Sequence, residues 1–144
     1  MELNKKLSQI QSRLKAKKSK FNSFGKYNYR SAEDILEAIK PFLIEFDVTV
    51  TINEAISNIG DNLIMESAAI ISDGNQEIQA VALVAVDMEQ RGMNAPQKFG
   101  SASSYAKKYA LGNLFLIDDT ADSDATNNHG KGAKPKLEWA ALTK

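Results

Sequence analysis

Within five residues, Tyr105, Lys107, Lys108 and Tyr109 set two adjacent ammonium groups between two phenol rings, in a stretch, GSASSYAKKYALGNLF, that is otherwise small and apolar. That combination suits an unpaired nucleic-acid strand, because ammonium groups track phosphates and ring faces offer stacking surfaces worth about 1–3 kcal/mol per base. The competing expectation is packing, with both tyrosines in a core and the lysine stems lying along it so that only their heads reach water. A second cluster, FGKYNYR, raises the same alternatives: Lys26 and Arg30 bracket Tyr27 and Tyr29, and tyrosines just ahead of a capped helix commonly close the end of a core. Lys98 and Arg91 add charge upstream of the first cluster. The candidate strand-binding set is Lys107, Lys108, Lys98, Tyr105, Arg91, Lys26, Tyr27, Tyr29 and Arg30.

Charge is segregated along the chain although the totals cancel, 18 Lys and Arg against 18 Asp and Glu. Up to Arg30 the cations are Lys5, Lys6, Arg13, Lys15, Lys17, Lys18, Lys20, Lys26 and Arg30, against Glu2 alone. From Ser31 to Gln97 the balance reverses, with Lys40 and Arg91 the only cations, and after Lys98, Lys107 and Lys108 comes the acidic DDTADSD. Such a chain can grip a polyanion with its basic parts while the acidic parts keep it in solution, although a lysine run is by default a solvated face.

The alternative chemistry is metal-dependent hydrolysis. Asp118, Asp119, Asp122 and Asp124 supply hard oxygen ligands of the kind that hold magnesium or calcium. An EF-hand loop, however, wants glycine where Asn127 stands and glutamate where Ala133 stands. His129 is the only imidazole and there is no cysteine, which excludes disulfides, thiolate metal sites and a catalytic cysteine. No P-loop, G-x-S-x-G elbow or dinucleotide fingerprint occurs, so no metal and no cofactor is expected. The acidic run reads as a solvated segment that could also compete with DNA for basic surface.

The elements that must position these residues follow from periodicity. Leu3, Leu7, Ile10 and Leu14 predict an amphipathic helix over about residues 2–18, with a stripe narrow enough to fit its own core or a neighbouring subunit. Phe24, Tyr27 and Tyr29 alternate with polar residues in a short extended piece around Gly25. Ser31 and Asp34 make a capping box at the head of a second helix that buries Ile35, Leu36, Ile39 and Leu43, and Pro41 should kink or end it near Lys40. From Asp47 the period becomes two, with Val48, Val50 and Ile52 on one face. The turns NIGDN and DGNQ then separate this strand from two more over residues 63–72 and 78–86, and the short connections force an antiparallel meander. The third run, apolar at nearly every position, predicts a central or doubly covered strand.

After a loop, MEQRGMNAPQKF, Ser101 caps a third helix whose Ala102, Ala106 and Ala110 let it lie close to the sheet, with Leu111 and Phe115 between the two lysines on its outer side. The fold class expected is α+β, a three-stranded antiparallel β-meander packed against helices, with an N-terminal helix. It forms one domain over residues 1–119 with a flexible tail over 120–144. In that tail Leu137, Trp139 and Leu142 either dock on a partner as a short helix or fray. There is no signal-peptide h-region, and the longest apolar run, residues 80–86, is too short to cross a bilayer, so a cytoplasmic protein without a membrane partner is expected.

Two blocks, FGKYNYRSAEDILEAIKPFL and QKFGSASSYAKKYALGNLFLIDDTADSDA, together resemble the ERF (essential recombination function) family of phage single-strand annealing proteins, in the family's order. The resemblance spans about residues 24–125 and covers Tyr27, Tyr29 and Ser31, then Gly100, Ser101, Tyr105, Lys107, Lys108, Tyr109 and the following aspartates. Lysines stand at 107 and 108 where family members often carry arginine, which keeps charge but loses the fork geometry, and Ala125 stands where glycine is common. The resemblance implies an ATP-independent recombination protein of a phage or prophage that coats single-stranded DNA as a homo-oligomeric ring or filament and pairs complementary strands. A host single-strand-binding partner would be reached through the C-terminal tail. A strand meander followed by a helix is also what the family's proposed kinship with eukaryotic annealing domains implies. Two other readings stand beside it: a metal-dependent nuclease using the aspartates, and a phage scaffold or interaction protein that oligomerises through helix one.

Overall fold

A computed structural model of the chain describes residues 1–89 and 91–117. Helix α1 (Leu3–Arg13) forms on the expected stripe, and Leu3, Leu7, Ile10 and Leu14 all lie in the chain's own core. This stripe is therefore covered within the subunit and leaves no apolar seam for a neighbour. The helix stops at Arg13 rather than near Lys18, because Leu14 turns to an extended conformation (φ −68°, ψ 128°) while its amide still donates to the Ile10 carbonyl at 2.8 Å. Continuing it would stack Lys15 on Lys18 and Lys17 on Lys20, like charges one turn apart.

A hairpin follows, β1 (Lys20–Asn22) and β2 (Tyr27–Tyr29), with Lys20 opposite Tyr29 and Asn22 opposite Tyr27. Helix α2 (Ala32–Phe46) then starts at the expected capping box: the Asp34 amide donates to Ser31 Oγ at 3.3 Å and the Ser31 amide donates to Asp34 Oδ2 at 2.9 Å. Pro41 does not end this helix, which runs on to Phe46 and closes on a left-handed Asp47 (φ 56°, ψ 53°). Glu37 and Pro41 are both exposed, so the Glu37 carbonyl that Pro41 leaves without an amide partner is open to water. Ile35 and Ile39 before the proline, and Leu43 and Phe46 after it, pack into one core and hold both halves helical.

Strands β3 (Thr49–Ile59), β4 (Asn62–Ser72) and β5 (Glu77–Ala85) form an antiparallel sheet in that spatial order, with unbroken registers from Thr49 opposite Ser72 to Ile59 opposite Asn62 and from Ile64 opposite Ala85 to Ser72 opposite Glu77. The middle strand is β4. The apolar run of β5 suggests a central or doubly covered strand, but β5 is an edge, and Val81 and Leu83 are 41% and 45% exposed. Pleating sorts its side chains: Ile78, Ala80, Ala82 and Val84 turn inward, and Val81 and Leu83 turn to the uncovered face. Apolar residues on both sides permit double burial without enforcing it.

Helix α3 (Ala95–Phe115) crosses β4 and β5 and begins well before Ser101. Its N-cap is Asn94, whose Oδ1 accepts from the Gln97 amide at 3.0 Å while Gln97 Oε1 accepts from the Asn94 amide at 2.8 Å, with Pro96 in the first turn. Ala102, Ala106 and Ala110 are buried as expected. Leu111 and Phe115, expected on the outer side, are instead among the most deeply buried residues. The second half of α3 also packs on α2 and α1, where Gln11 Nε2 donates to the Leu114 carbonyl at 2.8 Å, so the buried stripe turns round the helix. Among the described residues no helix is long and apolar enough to cross a membrane. The tail over 120–144, the domain boundary at 119 and the four aspartates from Asp118 on lie outside the described residues.

Burial works to raise the Asp34 carboxyl, but hydrogen bonds from Ser19 and Ser31 outweigh it and hold the group below the usual carboxylate range. The ionised form thus contributes stability above the unfolded value of about 3.9, and that contribution disappears as pH falls through the lower folded value. Ser31→Ala is expected to cost about 1 kcal/mol in denaturant melts. Asp34→Asn should destabilise at neutral pH by a margin that shrinks as the medium is acidified below pH 4, which pH-resolved melts would show.

Candidate nucleic-acid interface

Asn22 builds the turn of the hairpin. Its Oδ1 accepts from the amides of Phe24 at 2.9 Å and Gly25 at 3.0 Å, its Nδ2 donates to the Tyr27 hydroxyl at 3.2 Å, and its carbonyl accepts from the Lys26 amide at 2.6 Å. Lys26 takes the left-handed conformation (φ 56°). Gly25 is required by space, since a Cβ there would stand 2.4 Å from the Tyr27 ring. So held, Tyr27 and Tyr29 project from the same side of β2, their rings 6.1 Å apart and tilted by 59°.

The facing rings come from α3. Tyr105 and Tyr109 are four residues apart and so one above the other, stacked at 6.5 Å with their planes 16° apart. Tyr109 is half-buried against the core, but Tyr105 is 53% exposed. The packing expectation therefore holds for one ring and fails for the other.

Lys108 joins the two blocks. Its Nζ lies 5.5 Å from the centroid of Tyr29 and 5.9 Å from that of Tyr109, within the roughly 6 Å over which a ring quadrupole attracts a cation. Tyr27, Tyr29, Lys108, Tyr109 and Tyr105 thus follow one another from ring to cation to ring, although the first two and the last three are far apart in the chain. Lys107 takes another direction, because successive helical residues point about 100° apart. It is half-buried one turn beyond Ser103, whose hydroxyl donates to the Glu54 carboxylate at 2.8 and 2.9 Å. Among the described residues no carboxylate is bound to Lys107.

The remaining candidates are spread more widely. Arg30 Nε donates to the Ala16 carbonyl at 3.1 Å and ties the end of β2 to the segment after α1. The Lys98 ammonium donates to the Met88 carbonyl and braces the loop ahead of α3. Lys98 springs from the side of α3 that carries Tyr105 and Tyr109, about 15 Å along the axis from Lys108 by helix rise. Lys26 stands exposed at the hairpin turn, and Arg91 stands exposed in the loop before α3. The structure therefore brings Tyr27, Tyr29, Tyr105, Tyr109 and Lys108 together and sets Lys26 beside them, while Lys107, Lys98 and Arg91 occupy other directions or positions.

Sequence reasoning missed Asn22 and Gly25 as builders of the turn, and it missed Phe24, which is 98% exposed at its tip. The string N-S-F-G-K carried the signal, since Asn ahead of a glycine-bearing turn commonly bonds the amides two and three residues on. Among the described residues no group of three or more Asp, Glu or His side chains could hold a metal ion.

The ERF superfamily model matches residues 3–138, a span that takes in every described element. The chain belongs to the ERF superfamily. It is 44% identical over 128 residues to the essential recombination function protein of Salmonella phage P22, an alignment covering 89% of this chain and 61% of that protein. The chain thus spans less than two thirds of the length of this relative. No solved structure matches it.

Gly25→Ala is expected to push the Tyr27 ring out of its place and off Tyr29. The near-ultraviolet circular dichroism of the tyrosines should change while the far-ultraviolet spectrum stays as in the parent.

Proposed function

We propose that this chain is the single-stranded DNA-binding part of an ATP-independent annealing protein of phage homologous recombination. The observation that carries the reading is the Lys108 ammonium lying over Tyr29 and Tyr109, which makes one cationic and aromatic surface out of the two sequence blocks that resemble the family. The name of the phage P22 relative, an essential recombination function protein, supports the same reading. On such a surface phosphates are held by Lys108 with Lys26 beside it, while the tyrosines stack on bases; Lys107, Lys98 and Arg91 lie off the rings and would meet phosphates where the strand runs on beyond them. Contacts of this kind read no base edge, so binding is sequence-tolerant and the edges stay free for a complementary strand. Pairing itself runs downhill, so no nucleotide hydrolysis is required.

Several copies side by side, as a ring or filament in the host cytoplasm, would present a long strand for pairing. The sheet offers a means of assembly, because among the described residues β3 and β5 are both unpaired on their outer sides and neither strand contains a lysine or a proline, the residues that usually blunt an edge. A host single-strand-binding protein would engage the C-terminal residues.

Binding should weaken with salt, log K falling against log salt with a slope of about 0.7 per phosphate neutralised. Alanine at both Lys107 and Lys108 is expected to flatten that slope by about 0.7 to 1.4 and abolish strand annealing, with the fold kept as read by the far-ultraviolet spectrum. An unchanged slope would remove these lysines from the binding surface. Magnesium should leave a labelled strand intact, whereas cleavage would favour a nuclease acting through the aspartates from Asp118 on.

A further inference from the structure

The hairpin turn holds an apolar ring out in water. Phe24 is 98% exposed and Phe21, on β1, is 59% exposed. A slack loop would let Phe24 fold back on the tyrosines. Here the turn is fixed: the Asn22 side chain takes the amides of Phe24 and Gly25, and its carbonyl takes that of Lys26. Fixing it has a cost, because a non-glycine residue in the left-handed region is strained, and Lys26 sits there at φ 56°. Strain that displays an apolar group instead of burying it points to a ligand that covers the group.

The charge around the turn says what kind. Residues 15–30 carry Lys15, Lys17, Lys18, Lys20, Lys26 and Arg30 and no carboxylate, and Lys20 and Lys26 are exposed on the hairpin itself. The site wants a flat apolar face carried on a polyanion, which is an unstacked nucleobase of a polynucleotide. Its place in the fold agrees. The Asn22 side chain bonds both the Phe24 amide and the Tyr27 hydroxyl, so Phe24 is held at the tip of the same hairpin whose Tyr29 meets Lys108.

We propose that Phe24 is a base-stacking wedge that takes up an unstacked base of the strand whose phosphates pass Lys26 and Lys108. This rests on the single-strand-binding reading above, and the test separates the two.

With the full chain and an oligo-dT strand, Phe24→Ala should lower affinity about five- to a hundred-fold, the loss of one stacked base, with the salt slope unchanged because no phosphate contact is removed. Phe24→Trp, in a Trp139→Phe background, should bind as the parent does and lose indole emission as the strand is added. The melt of each variant should match the parent, since Phe24 touches no core. If Phe24→Ala binds as tightly as the parent and the indole emission does not respond, the wedge is wrong while strand binding stands. If Phe24→Ala instead breaks up an assembly in sedimentation and leaves strand affinity per subunit unchanged, Phe24 belongs to a subunit contact and the wedge is again overturned. Failure of the parent itself to bind the strand at low salt would overturn the underlying reading.

Discussion

Helix α3 lies on the sheet through side chains too small to hold it off. Ala102, Ala106 and Ala110 form the helix side of the contact; Met65, Ala69 and Ala82 lie on the sheet side, together with Ser67 on the same face of β4. The Ser67 hydroxyl is fully buried and has no hydrogen-bond partner among the described residues, and a larger apolar side chain there would lift the helix. A seam this tight fixes the helix in rotation as well as height, because turning it would drive a tyrosine or lysine into the sheet. The directions of Tyr105, Lys108 and Tyr109 follow from that constraint, and the turn of the buried stripe onto Leu111, Leu114 and Phe115 locks the far end against α1 and α2.

Once α3 is set, the rest of the surface follows from the N-terminal hairpin. The α2 capping box and the Arg30 bond to the Ala16 carbonyl hold the end of β2 in place, and Lys108 then meets Tyr29. Folding in this way sets Lys108 over Tyr29 of the basic first segment, from which it is far removed in the chain. The basic first segment and the basic pair of α3 lie on either side of an acidic stretch in sequence, and that stretch is mostly α2 and the sheet. On the proposed reading, this is how a chain of zero net charge would offer a polyanion a cationic, ring-lined surface.

Much of this was legible because it is local. Period two and two glycine-bearing turns gave the three strands of the meander nearly to the residue, Ser31 with Asp34 marked the head of α2, and the alanine row marked the inner face of α3. What escaped depended on neighbours. Whether the apolar run of β5 was covered on both faces turned on the position of a helix, and whether Pro41 ended α2 turned on core contacts either side of it. The burial of Leu111 and Phe115, and the exposure of Tyr105, came from α1 and α2 crossing only half of α3. The start of α3 was a different kind of miss, since Asn94 and Gln97 are a local capping signal that Gly92 and Pro96 made look like loop. In the site, the two blocks were legible as separate clusters, and helical spacing alone set Lys107 and Lys108 on opposite edges of α3, but nothing in either block showed that Lys108 would bridge them.

The central claim is that the hairpin and α3 act as one binding surface. Photo-crosslinking of the full chain to a halogenated single-stranded oligonucleotide, read by peptide mass spectrometry, tests it most directly. Crosslinks should fall together on the hairpin between residues 20 and 30 and on the Tyr105, Lys108 and Tyr109 face of α3. Crosslinks confined to one of these blocks, or lying on the open face of the sheet around Val81 and Leu83, would contradict it.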